Sequence, residues 1–182
     1  MSDARLVPVP VEEWDPSLQE LKQQILATGN EPSGLRCTLA NHPALLRRAV
    51  LMVNYILFKS TVPPRHRELI ILRTSRLCAV EYEWAHHKAS ALAVGLTQQE
   101  VLGVFDDQYA WSHDDATVLK AVDELHNDYV VSDSTWKELS TMYKTSSMMD
   151  LVYTVGQYHT MAMAIKSFGV QIEDGLSGFP KQ

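Results

Sequence analysis

The sequence predicts an all-α fold of about six to eight helices, and three observations carry that reading. Strand-like alternation of apolar and polar residues is almost absent. Helix start and stop signals instead recur in order along the chain. Between them, apolar residues return at spacings of three and four, as in NHPALLRRAVLMVNYILFKS, where positions 45, 46, 49, 52, 53, 56 and 57 line one face. A chain of 182 residues buries enough surface to hold one core without disulfides or a structural metal, so residues 1–182 read as a single domain.

Taken in order, residues 1 to about 15 form an extended arm, because Pro8, Pro10 and Pro16 do not fit inside regular helix. An opening helix follows from Pro16 to about Thr28, closed by Gly29-Asn30, and NEPSGLRC reads as a loop by composition. Asn41 is placed to cap the next helix, with Pro43 in its first turn. Pro63-Pro64 prime RHRELIILRTSRLCAV, whose Ile70, Ile71, Leu72 and Leu77 suggest deep burial. YEWAHHKASALAV is an alanine-rich helix ending at Gly95. Thr97 and Glu100 have capping-box spacing, and Ser112 with Asp115 repeats it before ATVLKAVDELHNDYV. SDSTWKELSTMYKT gives another capped helix, and SSMMDLVYTVGQYHTMAMAIKSF the last, stopped by Gly169.

Composition narrows the function classes. Sixteen Lys and Arg against 22 Asp and Glu, scattered rather than blocked, offer no basic stripe for nucleic acid. Two cysteines, Cys37 and Cys78, make no secreted disulfide framework. The start MSDARLVPVPVEEWDP lacks the apolar core of a signal peptide and no apolar run has bilayer length, so a cytoplasmic protein without membrane contact is expected. There is no glycine-rich phosphate loop, and therefore no cofactor is expected.

Polar residues crowd into SRLCAVEYEWAHHKASALAVGL. Glu83 and His87 stand four apart, so they share a helix face. A carboxylate beside an imidazole suits general acid and base work, although the same spacing serves an exposed ion pair or two metal ligands. No third ligand stands at a recognisable spacing, and no metal is expected. Glu68, among Ile and Leu, is solvent-facing, paired or protonated. His86 points about 100° from His87, toward solvent or an interface. Tyr82 and Trp84 either pack or wall a pocket; Tyr158 and His159 read as packing or as substrate contacts. Cys78 reads as a small buried residue, or as a thiol for peroxide defence.

RHRELIILRTSRLCAVEYEWAHHKASALAVGLTQQEV resembles the carboxymuconolactone decarboxylase family, which includes the AhpD-like proteins, in its R-x-R-E entry, Tyr-x-Trp segment, histidine and Gly-Leu-Thr ending. Thiol members of that family carry a CxxC, a histidine after three further residues, and a glutamate twelve residues before the first cysteine. With His87 on the histidine, Glu83 and Val80 fall on the two cysteines and Glu68 on the glutamate. The resemblance therefore implies an AhpD-like helical fold and a site without a CxxC, in which Glu68, Glu83 and His87 are catalytic. Tyr82, Trp84, Val80 and His159 would then shape the substrate pocket. It also implies cofactor-independent proton transfer, as decarboxylation or isomerisation of a small carboxylated or lactone compound, in a homo-oligomer of three or six subunits. The competing class is a non-catalytic oligomeric ligand-binding or scaffold protein of the same fold.

Overall fold

Four consecutive residues, Leu69 to Leu72, have no solvent-exposed surface. A helix buried on every side at once is a core helix. The computed structural model describes residues 4–29 and 31–180; Asn30, where the sequence closes the opening helix, and the first three residues of the arm lie outside the described residues. Among the described residues there are nine α-helices and no strand: α1 (Gln19–Leu26), α2 (Gly34–Leu39), α3 (Pro43–Phe58), α4 (Pro64–Leu77), α5 (Glu81–Ala93), α6 (Gln98–Gly103), α7 (His113–Asp128), α8 (Asp133–Met142) and α9 (Thr145–Phe168). The buried helix is α4, and it packs against α5, α7 and α9. None of the described helices is long and apolar enough to cross a membrane.

Local signals explain several boundaries. Thr97 and Glu100 form the reciprocal capping box that starts α6, and Ser112 and Ser132 each accept a backbone N–H at the start of α7 and α8. Gly95 and Gly169 take positive φ after α5 and α9, the left-handed turn that glycine permits. Arg65 then ties the start of α4 to two of these caps, donating to Asp115 at 2.9 Å and pairing with Glu100.

Three local expectations are corrected. NEPSGLRC is not all loop, because Gly34 begins α2; the Ser33 side chain makes no cap, and the first amides are satisfied from afar. His42, not Asn41, caps α3, its Nδ1 accepting from Leu45 N–H at 3.4 Å, while Asn41 donates to Val7 O at 2.9 Å. Finally α4 stops at Leu77, two residues past which Ala79 adopts φ 51°. Val80 N–H then bonds Ser75 O at 2.9 Å and Ala79 N–H bonds Arg76 O at 3.0 Å, the pairing glycine usually makes at a helix end. The arm itself turns once at Val11–Glu13 and is anchored by Trp14, buried with Leu18, Ile25 and Leu46 against α1 and α3.

Candidate active site

The tight link between α4 and α5 brings one side chain of each helix face to face. Glu68 Oε2 lies 2.8 Å from His87 Nδ1. Behind it, Arg67 donates from Nε and Nη2 to Glu68 Oε1 at 3.1 and 3.0 Å, and from Nη1 to Leu57 O at 2.8 Å. A carboxylate held by arginine accepts, so His87 carries its hydrogen on Nδ1 and presents the Nε2 lone pair. That nitrogen meets Tyr158 of α9, whose hydroxyl donates to it at 3.0 Å. Glu68 and Tyr158 are each 1 % exposed, which excludes the solvent-facing alternative for Glu68. Burial also holds the Tyr158 phenol well above its usual range, with Glu83 and Glu68 adding to the effect.

Glu83 sits one turn before His87 on α5, its Oε2 3.8 Å from His87 Nε2. Its Oε1 is buried and has no hydrogen-bond partner, the single such side-chain atom among the described residues. An orphaned buried acceptor costs about 1–3 kcal/mol and points to a ligand or a functional role. Burial pushes the Glu83 carboxyl up to about 7; a proton on His87 would act in the opposite direction. The side chain thus changes protonation near neutrality, as a general acid or base must.

Glu83, His87 and Tyr158 share the wall of a cavity of about 220 Å³ with Arg36 and with apolar residues including Val50 and Met161. Such a volume suits a compound of about one ring, below the ~300–1,000 Å³ of drug-sized sites. Arg36 comes from α2, the helix that composition concealed. Burial lowers its affinity for the proton, and no carboxylate among the described residues pairs with it. Tyr82 holds α2 in place: its hydroxyl accepts from Leu35 N–H at 3.1 Å and donates to Glu173 Oε1 at 2.9 Å. Glu173 in turn accepts from Gly34 N–H at 2.6 Å and lies 2.8 Å from His86 Nε2. The tail after α9 therefore completes the start of α2.

Of the predicted residues, Glu68, Glu83 and His87 come together and Tyr82 lines the same cavity. Trp84 does not. It is one residue past Glu83 and hence rotated by about 100°, packing on Phe105 at a ring distance of 4.7 Å within a core cluster that includes Leu69 and Leu96. Val80 belongs to another cluster, with Leu35 and Ile165. His159, the neighbour of Tyr158, turns toward α7 and meets His126 Nδ1 at 2.9 Å. Cys78 faces that same side, with its thiol pushed up by burial, which disfavours a free thiolate. Arg36 is the site residue that sequence reasoning missed, with no local signal to find it; Tyr158, read as packing or a substrate contact, meets His87 directly.

Residues 43–125, from the start of α3 into α7, match the model of the carboxymuconolactone decarboxylase family. No significant match was found among curated proteins. Among solved structures, a peroxidase-related protein with an alkylhydroperoxidase AhpD core from Ralstonia eutropha JMP134 superposes with a TM-score of 0.82 at 15% identity, covering 96% of this chain and 94% of its own. A peroxidase-related protein from Silicibacter sp. TM1040 gives 0.79 at 13% identity, with coverage of 95% and 94%. A variant of the debrominase Bmp8 in complex with 2,3,4-tribromopyrrole gives 0.73 at 15% identity, with coverage of 94% and 95%. At these identities the likeness is one of fold, and the fold is AhpD-like.

Proposed function

Since its segment 43–125 matches the carboxymuconolactone decarboxylase family and its fold is AhpD-like, we propose that this chain is a cofactor-independent enzyme that moves a proton on a small carboxylated or lactone compound. The observation that carries the reading is Glu83, a buried carboxyl with an unpartnered oxygen, a proton affinity near neutrality and a neighbouring imidazole.

In an isomerisation, the Glu83 carboxylate takes a proton from the carbon beside the substrate carbonyl. The electron pair moves onto that carbonyl oxygen, and the proton returns at another carbon. In a decarboxylation the C–C bond to the carboxylate breaks, CO₂ leaves, and protonated Glu83 delivers its proton to the carbanion. His87, oriented by Glu68, exchanges protons between Glu83 and the Tyr158 end of the site. Arg36 supports a preference for anionic substrates, because a half-buried guanidinium without a carboxylate partner among the described residues is matched by a substrate's carboxylate or enolate oxygens. The 2,3,4-tribromopyrrole of the debrominase is a single ring as well, which agrees with the size of the cavity.

Self-association into a homo-oligomer is supported by a surface hollow walled by Leu51, Tyr55, Met149 and Tyr153, all exposed. Light scattering in solution tests it, and a monomer at working concentrations would exclude it.

The activity is tested by screening aromatic-catabolite lactones and β-keto or vinylogous acids for turnover and for proton exchange in deuterated water. General acid or base catalysis supplies about 10²–10⁴-fold, so Glu83→Gln and His87→Ala should each lose that much. Undiminished rates in both variants would overturn the reading.

A further inference from the structure

Three side chains of metal-ligating type, from the end of α4, from α7 and from α9, come together away from the Glu83 cavity. Cys78 follows the last residue of α4, His126 lies in the last turn of α7, and His159 lies within α9; one donor atom from each is within 4.8 Å of the other two. His159 is already oriented as a metal-bound imidazole is. Its Nδ1–H donates to Val155 O at 2.9 Å, which fixes the ring and leaves Nε2 without a hydrogen. That nitrogen accepts from His126 Nδ1–H at 2.9 Å, a hydrogen bond that a bound ion would replace. The two nitrogens need only spread by a few tenths of an ångström for both to lie about 2.0–2.1 Å from one tetrahedral ion. Lys166, on the same hollow, donates to the Cys78 carbonyl at 3.0 Å and leaves the sulfur free. Cys78 and His159 also line a hollow of about 500 Å³, through which an ion could reach them.

We propose that Cys78, His126 and His159 bind one zinc-class divalent ion. Two imidazoles and a thiolate with one open position are a donor set that suits zinc. On binding, the thiol releases one proton to solvent and its sulfur bonds the ion. His126 shifts its remaining hydrogen to Nε2 and bonds through Nδ1, and no electron is transferred. The site stands apart from Glu83, so it holds whether or not the proton-transfer reading does.

The test uses the full chain stripped with a chelator. Zn²⁺ is titrated against a chromophoric competitor, and Co²⁺ serves as the spectroscopic probe. One equivalent should bind with proton release, and Co²⁺ should show a thiolate charge-transfer band with tetrahedral d–d transitions. Cys78→Ala should lose the band, Cys37→Ala should keep it, and His159→Ala should weaken Zn²⁺ binding by more than the ~10–100-fold that loss of an outer partner costs. Circular dichroism verifies the fold of each variant, with Cys78→Ser and His159→Gln in reserve. A wild type that binds no stoichiometric Zn²⁺, a band that survives Cys78→Ala, or wild-type affinity in His159→Ala would overturn the proposal.

Discussion

Glu68 and His87, nineteen residues apart on consecutive helices, join carboxylate oxygen to imidazole nitrogen at 2.8 Å inside a protein region where Glu68 is 1 % exposed. Such a contact fixes the ring and makes Glu68 a positioning residue rather than a group that touches substrate. It also leaves Arg67 dependent on Glu68, because the guanidinium lies against this one carboxylate.

Glu68→Ala should therefore destabilise the fold by about 3 kcal/mol, the cost of removing one partner of a buried ion pair. Urea unfolding measures it. A loss under about 1 kcal/mol, the range of exposed pairs, would mean that Arg67 and His87 find other partners.

Glu83 carries a pH dependence whose sign is fixed. In the folded chain its carboxyl keeps its proton up to about pH 7, against 4.5 for the free side chain. Between these values the folded state binds more protons than the unfolded one, so stability falls as pH rises. The full contribution is present below pH 4.5, is lost on the way to pH 7 and is level above it; its size is on the order of 3 kcal/mol. Glu83→Gln has no such loss and should gain on wild type by about that amount between acid and mildly alkaline solution. Paired denaturation curves check it, and a constant difference between the two proteins would refute it.

Tyr158→Phe removes one hydroxyl without changing the packing. The lost hydrogen bond to His87 Nε2 at 3.0 Å should cost about 1 kcal/mol. If Tyr158 belongs to the proton path, turnover should fall further than stability does and the pH limb near 7 set by Glu83 should move. A variant with wild-type rates and an unmoved profile would reduce Tyr158 to packing.

These residues differ in how well the sequence announces them. Caps are local chemistry, so Thr97, Ser112 and Ser132 are legible from spacing alone. The Glu83 and His87 spacing is equally local, and Glu68 follows from register with the family's motif. What distant residues decide is not legible. α2 is capped by Tyr82 and by Glu173, the latter 139 residues from Gly34, so a window around NEPSGLRC contains no start signal. The turn after α4 holds Ala79 in a conformation that usually announces itself with glycine. Cys78, His126 and His159 come from the end of α4, from α7 and from α9, beyond any spacing rule. Trp84 departs from expectation for a simpler reason: adjacency to Glu83 in sequence is a rotation of about 100° on a helix.

Arg36 separates binding from chemistry. It reaches the cavity from α2, carries no carboxylate partner among the described residues, and shares no hydrogen bond with Glu83 or His87. A charge-assisted hydrogen bond to an anionic substrate contributes about 1.5–3 kcal/mol, equivalent to roughly 10–150-fold in affinity. Arg36→Gln should thus raise KM by that factor. If the guanidinium also meets the enolate oxygen as charge develops, kcat should fall too, and the ratio of the two effects apportions ground-state from transition-state binding. Arg36→Lys keeps the charge but not the planar fork, and should recover part of the KM effect. The same substitutions should leave stability within about 1 kcal/mol, because no ion pair among the described residues is broken. An unchanged KM for every anionic substrate in Arg36→Gln would remove the anion-binding role from this residue.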